Sequence, residues 1–170
     1  MMRILEAAIL GIWMGWTLFM WFAAGRSFAA VDRISSSPGP EFEKLIQPLG
    51  PENTRLALRH AASEINRKLF GGYGWTQIAL GVILLVLLWL ETPRDAVALT
   101  LVGGMLALVL VLSLVITPWM SSLGRSIDFT RESASEEVLR RFWTLHGAFT
   151  GLDIVKLIIG LILLVRWIAA

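Results

Sequence analysis

Polar and apolar positions along this chain separate into long apolar runs and short charged connections, instead of mixing at the spacing of a soluble amphipathic helix. Four runs stand out, at residues 4–24, 73–90, 96–117 and 142–168. Each is close to or longer than the roughly 20 residues that carry a helix across a hydrocarbon core about 30 Å thick. A helix is the form that lets such a segment satisfy its own peptide groups where no water is available. The pattern predicts an all-α, four-helix transmembrane bundle forming a single integral membrane domain over residues 1–170. The first run is read as a retained span despite the small residues Ala23-Ala24-Gly25, because its apolar stretch is far longer than a signal sequence uses.

The connections refine this picture. Glu91-Thr92-Pro93-Arg94-Asp95 is too short for anything but a turn, so the second and third spans form an antiparallel hairpin. Residues 26–72 open on Ser35-Ser36-Ser37-Pro38-Gly39-Pro40, an elbow, and then show two helical patterns, 41–47 and 51–70. Gly50 can cap and Pro51 can open the longer one. There Leu58, Ala61, Ala62, Ile65 and Leu69 share a face, while Arg55, Arg59, Arg67 and Lys68 lie mostly elsewhere. Such a basic amphipathic helix either lies on the membrane surface or stands upright as an extension of the second span. Gly71-Gly72-Tyr73-Gly74 is read as a hinge between the two. At the last span, Ser133 and Glu136 have the spacing of a capping box, followed by Glu136/Arg140 and Glu137/Arg141 pairs at i,i+4.

Composition agrees with the class: 56% of residues are hydrophobic and the mean hydropathy is +0.69. A net charge of +2 does not imply nucleic acid here, because the basic residues flank apolar runs, where anionic lipid accounts for them. The connections 26–72 and 118–141 hold eleven Lys and Arg, against Arg3, Arg94 and Arg166 on the other side. The positive-inside tendency predicts that these two connections are cytoplasmic and both termini outside. Trp21, Trp75, Trp119 and Trp143 are expected at one membrane interface, Trp89 and Trp167 at the other. The absence of cysteine excludes thiol catalysis, thiolate clusters and disulfides.

The chemical anomaly lies in the fourth run. Asp153 and Lys156 fall roughly 16–21 Å inside its boundary, near mid-bilayer. Each ion there costs about 2.5–3.5 kcal/mol, which nearly cancels what the run's Leu, Ile and Val residues contribute at about 0.3–0.6 kcal/mol each. The pair is therefore expected to face the bundle or a partner protein. At 100° per residue, His146, Thr150, Asp153 and Gly160 share about 80° of arc with Lys156 beside them, giving one polar stripe. Gln77, Thr100, Ser113 or Thr17 are candidates to complete a hydrogen-bonded cluster with it. Three readings stay open: an internal ion pair that fixes helix packing, a proton or ion relay or polar ligand pocket, and a docking site for another subunit. No cofactor is predicted; haem would require His146 to meet the distant His60, and Trp13 and Trp16, deep in the first span, are read as packing residues, with a quinone or pigment contact as the alternative. Gly11-x-x-x-Gly15, Gly103-Gly104 and Gly160 offer flat faces for close helix packing.

The stretch Arg141-Phe142-Trp143-Thr144-Leu145-His146-Gly147, followed by Asp153, resembles the last span of uncharacterised membrane proteins related to transmembrane protein 205. In those proteins a Phe-x-x-Leu-His element opens the final helix and an amide or acid follows within two turns. Four spans, a long first connection and a proline closing the third span at Thr117-Pro118 fit the same resemblance. It implies interest in His146 and Asp153, says nothing of Lys156, and carries no reaction. Compact loops and this resemblance point to a bacterial inner membrane. The sequence as a whole reads as a non-catalytic membrane component, an accessory or scaffolding subunit with other membrane subunits or its own copies as partners. The alternatives are a small transporter or proton-relay protein, and a haem- or quinone-binding protein.

Overall fold

The computed structural model describes residues 2–127 and 135–169, all helix and connecting turns with no strand among them. Among the described residues six α-helices occur in chain order: α1 (Met2–Ser36), α2 (Pro40–Ile46), α3 (Gly50–Leu90), α4 (Ala96–Val111), α5 (Thr117–Ile127) and α6 (Glu136–Ala169). Four helical stretches are long and apolar enough to cross a membrane: α1, the α2–α3 unit, the α4–α5 unit and α6. They run up and down. The start of α1, the α3–α4 turn and the end of α6 meet at one end, where Arg3 pairs with Glu91 and Arg166 with Asp95.

The segment at residues 51–70 stands upright, as the first half of the 41-residue α3. At 1.5 Å per residue α3 is about 60 Å long and the 35-residue α1 about 50 Å, so both outrun a 30 Å apolar core. Their extensions pack on each other. Thr54, Ala62 and Asn66 form the buried face, while Ile65 and Leu69 remain exposed, so the contact face is rotated from the one expected. The Ser27 hydroxyl donates to Asn66 Oδ1 at 2.8 Å, Asn66 Nδ2 reaches Ala24 O, and Arg59 lies over the Phe28 ring. A short helical turn at Gln47–Leu49 leads into Gly50, whose φ of +73° reverses the chain at no Cβ cost.

Gly71 to Gly74 is not a hinge, since α3 passes through it without interruption. Gly74 instead allows close approach: a Cβ there would stand 2.7 Å from Ser113 Oγ. Gly81 lets the Trp13 ring in, its absent Cβ being 2.8 Å from Trp13 Cη2, and at Gly160 a Cβ would stand 3.0 Å from Met14 Sδ. Gly11, Gly15, Gly103 and Gly104 have nothing within 4 Å of that position, so within the chain the tight helix contacts lie elsewhere.

Pro118 does not close the third span. A π turn over Leu112–Ile116 joins α4 to α5, with the Thr117 N–H bonding Leu112 O. Proline removes one N–H and its ring crowds the carbonyl four residues back, here that of Leu114. The wider π turn accommodates both and lets the helix continue to Ile127. At the start of α6 the expected capping residue, Ser133, lies outside the described residues, and Ser135 caps instead, accepting from Val138 N. Glu137 alone takes both Arg140 and Arg141.

Two apolar clusters fill the interior. Leu10, Trp13, Leu84, Leu88, Val102, Met105 and Leu163 pack toward the end that holds the termini. Met20, Tyr73, Leu112, Ile116, Met120 and Phe149 pack toward the other. Between them lies a polar layer.

Candidate functional site

The inner face of α6 repeats Phe149, Asp153, Lys156, Gly160, Leu163 and Trp167, a 4–3–4–3–4 spacing that places Asp153 and Lys156 on the packing seam. Both are sealed, at 0% and 1% relative exposure. Lys156 Nζ donates to Asp153 Oδ1 at 2.5 Å, to Gln77 Oε1 at 2.7 Å and to Tyr73 Oη at 3.0 Å. An ammonium has three protons, so this one is fully used. Asp153 also accepts from Trp21 Nε1 at 2.9 Å, and the Tyr73 hydroxyl lies 3.0 Å from each of its oxygens.

Further hydrogen bonds surround these groups. Gln77 Oε1 accepts a very short bond from Trp13 Nε1, while Gln77 Nε2 donates to Thr17 Oγ1 at 3.2 Å and to Trp13 O at 3.5 Å. Thr17 donates to Trp13 O and stands 3.2 Å from Tyr73 Oη. Residues of three spans thus contribute: Trp13, Thr17 and Trp21 from α1, Tyr73 and Gln77 from α3, Asp153 and Lys156 from α6. The third span contributes none to this layer; its inward residues Ala98, Val102, Met105 and Val109 are apolar.

Of the residues expected on the polar stripe, Asp153, Lys156, Gln77 and Thr17 come together. His146 and Thr150 do not. At their end of α6, Phe142, Leu145 and Phe149 take the packing positions against Met120 and Ile116, which turns His146 outward. Its ring stacks on Phe142 and edges Trp143, and Thr150 donates to the carbonyl of His146. Thr100 likewise bonds its own helix, at Ala96 O, and Ser113 sits against Gly74. Among the described residues no group of three His, Cys, Asp or Glu gathers as metal ligands.

Three members were missed. The sequence pattern places Tyr73 at the edge of a span, Trp13 among packing residues and Trp21 at an interface. A hint was present: Trp13, Thr17 and Trp21 recur every four residues on one face of a helix with no charge to solvate them.

The charged group at the terminal end was also missed. Glu6 is fully buried and lies 3.3 Å from Arg3 Nη1; Arg3 also reaches Glu91 at 3.2 Å and Asp95 at 3.8 Å, and covers the Trp167 ring. Arg166 Nη1 donates to Asp95 Oδ2 at 2.6 Å. That bond holds the Asp95 carboxyl below the usual carboxylate range, against a smaller opposing effect of burial, and the Ala98 N–H it accepts as helix cap acts in the same sense.

Residues 8–127 match a family model described as Domain of unknown function (DUF4149). The chain belongs to this family. The matched residues include α1, α3, α4 and α5, and therefore Trp13, Thr17, Trp21, Tyr73 and Gln77 of the polar layer. Asp153 and Lys156 lie beyond the DUF4149 match, as does the Arg141–Gly147 stretch. No curated protein and no solved structure matches the chain.

Proposed function

We propose that this DUF4149 protein is a non-catalytic membrane component, an accessory or scaffolding subunit whose spans are locked in one arrangement by the Asp153–Lys156 pair. The observation that carries the reading is closure. Every proton of Lys156 meets an acceptor, Asp153 receives donors from three different residues, and both charges are sealed from solvent and lipid. A buried pair contributes little net stability over an apolar pair but penalises every packing that separates its members. Its use is then to specify which helix faces meet, as a polar residue does in a coiled-coil seam. The uneven count of Lys and Arg supports a placement with residues 26–72 and 118–141 in the cytoplasm, and the compact loops support a bacterial inner membrane. The resemblance to relatives of transmembrane protein 205 supports the architecture alone.

The test replaces both charges at once, Asp153→Asn with Lys156→Met, in the full chain. A scaffold keeps its fold and co-purifies with the same partners in mild detergent. A clean wild-type monomer that captures no partner and forms no larger assembly of its own would sink the reading.

A proton relay is the second reading, favoured by one observation. The polar face of α1 and α3 continues from Trp21 and Tyr73 to the part-buried Ser27–Asn66 bond, toward the end that carries most of the basic residues. In proteoliposomes a relay predicts proton flux that Asp153→Asn abolishes while the bundle stays folded. A scaffold predicts none.

A further inference from the structure

Beyond the π turn, α5 and α6 leave between them a groove of about 530 Å³. Trp119, Ser122 and Leu123 line it from α5, and Arg140, Arg141, Thr144 and Leu145 from α6. We propose that this groove binds the phosphate of an anionic phospholipid, with the two arginines as ligands and Leu145 against the upper acyl chain.

Charge is the first support. Glu137 holds both guanidiniums side by side, accepting from Arg140 Nε and Nη2 through Oε2 and from Arg141 Nε through Oε1. One carboxylate against two guanidiniums leaves a net positive charge. Nη1 of Arg140 and both Nη atoms of Arg141 have no partner among the described residues, and the Ser122 hydroxyl is likewise unused. A forked set of N–H donors matches phosphate oxygens, which accept without needing a proton.

Depth is the second. The groove spans the level where the third and fourth apolar runs end, at Thr117 and Phe142. Trp119 and Trp143 flank it with exposures of 64% and 54%, and such rings favour the headgroup level. A free phosphate in water would gain nothing from Leu145, one helical turn further into the apolar run than Arg141. A phospholipid presents the anion and the apolar chain in the same vertical order as the groove. A zwitterionic headgroup would bring its ammonium toward the guanidiniums, so the groove selects for net negative charge.

The test is a titration of the full chain in mild detergent with phosphatidylglycerol and with phosphatidylcholine of identical acyl chains, retained lipid being counted by native mass spectrometry. One net positive charge near the surface corresponds to about a five-fold preference for the anionic lipid. Arg140→Gln with Arg141→Gln is expected to erase it. Ser122→Leu with Thr144→Leu fills the groove but keeps both charges, and is expected to erase it as well. Arg26→Gln, which removes a guanidinium lying over Phe22 outside the groove, keeps it. The proposal is overturned by equal retention of the two lipids in the wild type, or by a preference that survives either double variant. Competition by millimolar inorganic phosphate as strong as that by lipid would overturn it too, by reducing the groove to a general anion site.

Discussion

The Tyr73 hydroxyl stands 3.0 Å from both carboxylate oxygens of Asp153, a residue 80 positions further along the chain. It also accepts from Lys156, so one phenol connects the two charges to each other and to α3. Tyr73→Phe keeps the ring packed between Phe70 and the core but removes a donor and an acceptor. Hydrogen bonds to charged groups contribute about 1.5–3 kcal/mol in soluble proteins, and interhelical bonds in membranes average about 0.6. We expect Tyr73→Phe to destabilise the bundle by about 1–2 kcal/mol in reversible detergent unfolding. A neutral result would mean that the polar layer is not what holds α3 to α6.

Asp153 and Lys156 should behave as a unit. Lys156→Met alone leaves a carboxylate in the core with its ammonium gone, and Asp153→Asn alone leaves the ammonium without its counter-charge. Either single change is expected to cost about 3–5 kcal/mol. The double change should cost clearly less than the sum, because neither charge is then left unpaired. Unfolding free energies of the four proteins measure the coupling directly. Additive losses would show that the two groups are stabilised separately, against the geometry of a 2.5 Å contact.

Glycines divide by what surrounds them, not by motif. Gly74→Ala and Gly81→Ala introduce Cβ atoms 2.7 Å from Ser113 Oγ and 2.8 Å from Trp13 Cη2, and overpacking of that kind costs about 1–3 kcal/mol. Gly11→Ala and Gly103→Ala meet nothing within 4 Å and should be neutral or slightly stabilising for the monomer, since alanine favours helix. Thermal unfolding of the four variants in one detergent checks the order. The reverse order would place the close helix contacts at the Gly-x-x-x-Gly stripe instead.

These residues also show how far the sequence carried. The spans were legible because an apolar run of their length has few folded alternatives, and the depth of Asp153 and Lys156 followed from counting residues. The partners did not follow. A helical projection gives angles on one helix but not which neighbour lies beside it at each level, so His146 fell on the right arc while Leu145 and Phe149 took the packing positions at its height. Residues 51–70 were undecided because a helix lying on a membrane and one standing against α1 show the same periodicity. Only the length of α1 beyond its apolar run separates them, and Gly25 and Ser27 concealed that continuation. Tyr73 and Trp21 are amphipathic types common at membrane interfaces, which hid their inward hydrogen bonds.

Acid should loosen the end of the bundle that holds the termini. Asp95 lies in the turn outside the spans, faces Arg166 and Arg3 with Glu91 and Glu6 nearby, and caps α4 through Ala98 N. Its carboxyl is held below the usual range, so its contribution is present above the unfolded value, about 3.9, and is lost as pH falls through the lower folded value. Stability in detergent should therefore decline as pH falls below about 4. Asp95→Asn separates charge from cap, because asparagine caps a helix about as well as aspartate but cannot ionise. The variant is expected to be less stable than the wild type at neutral pH and to show a smaller decline with acid, the two curves converging as pH falls through the folded value of Asp95. Parallel curves would assign the acid sensitivity to other carboxylates.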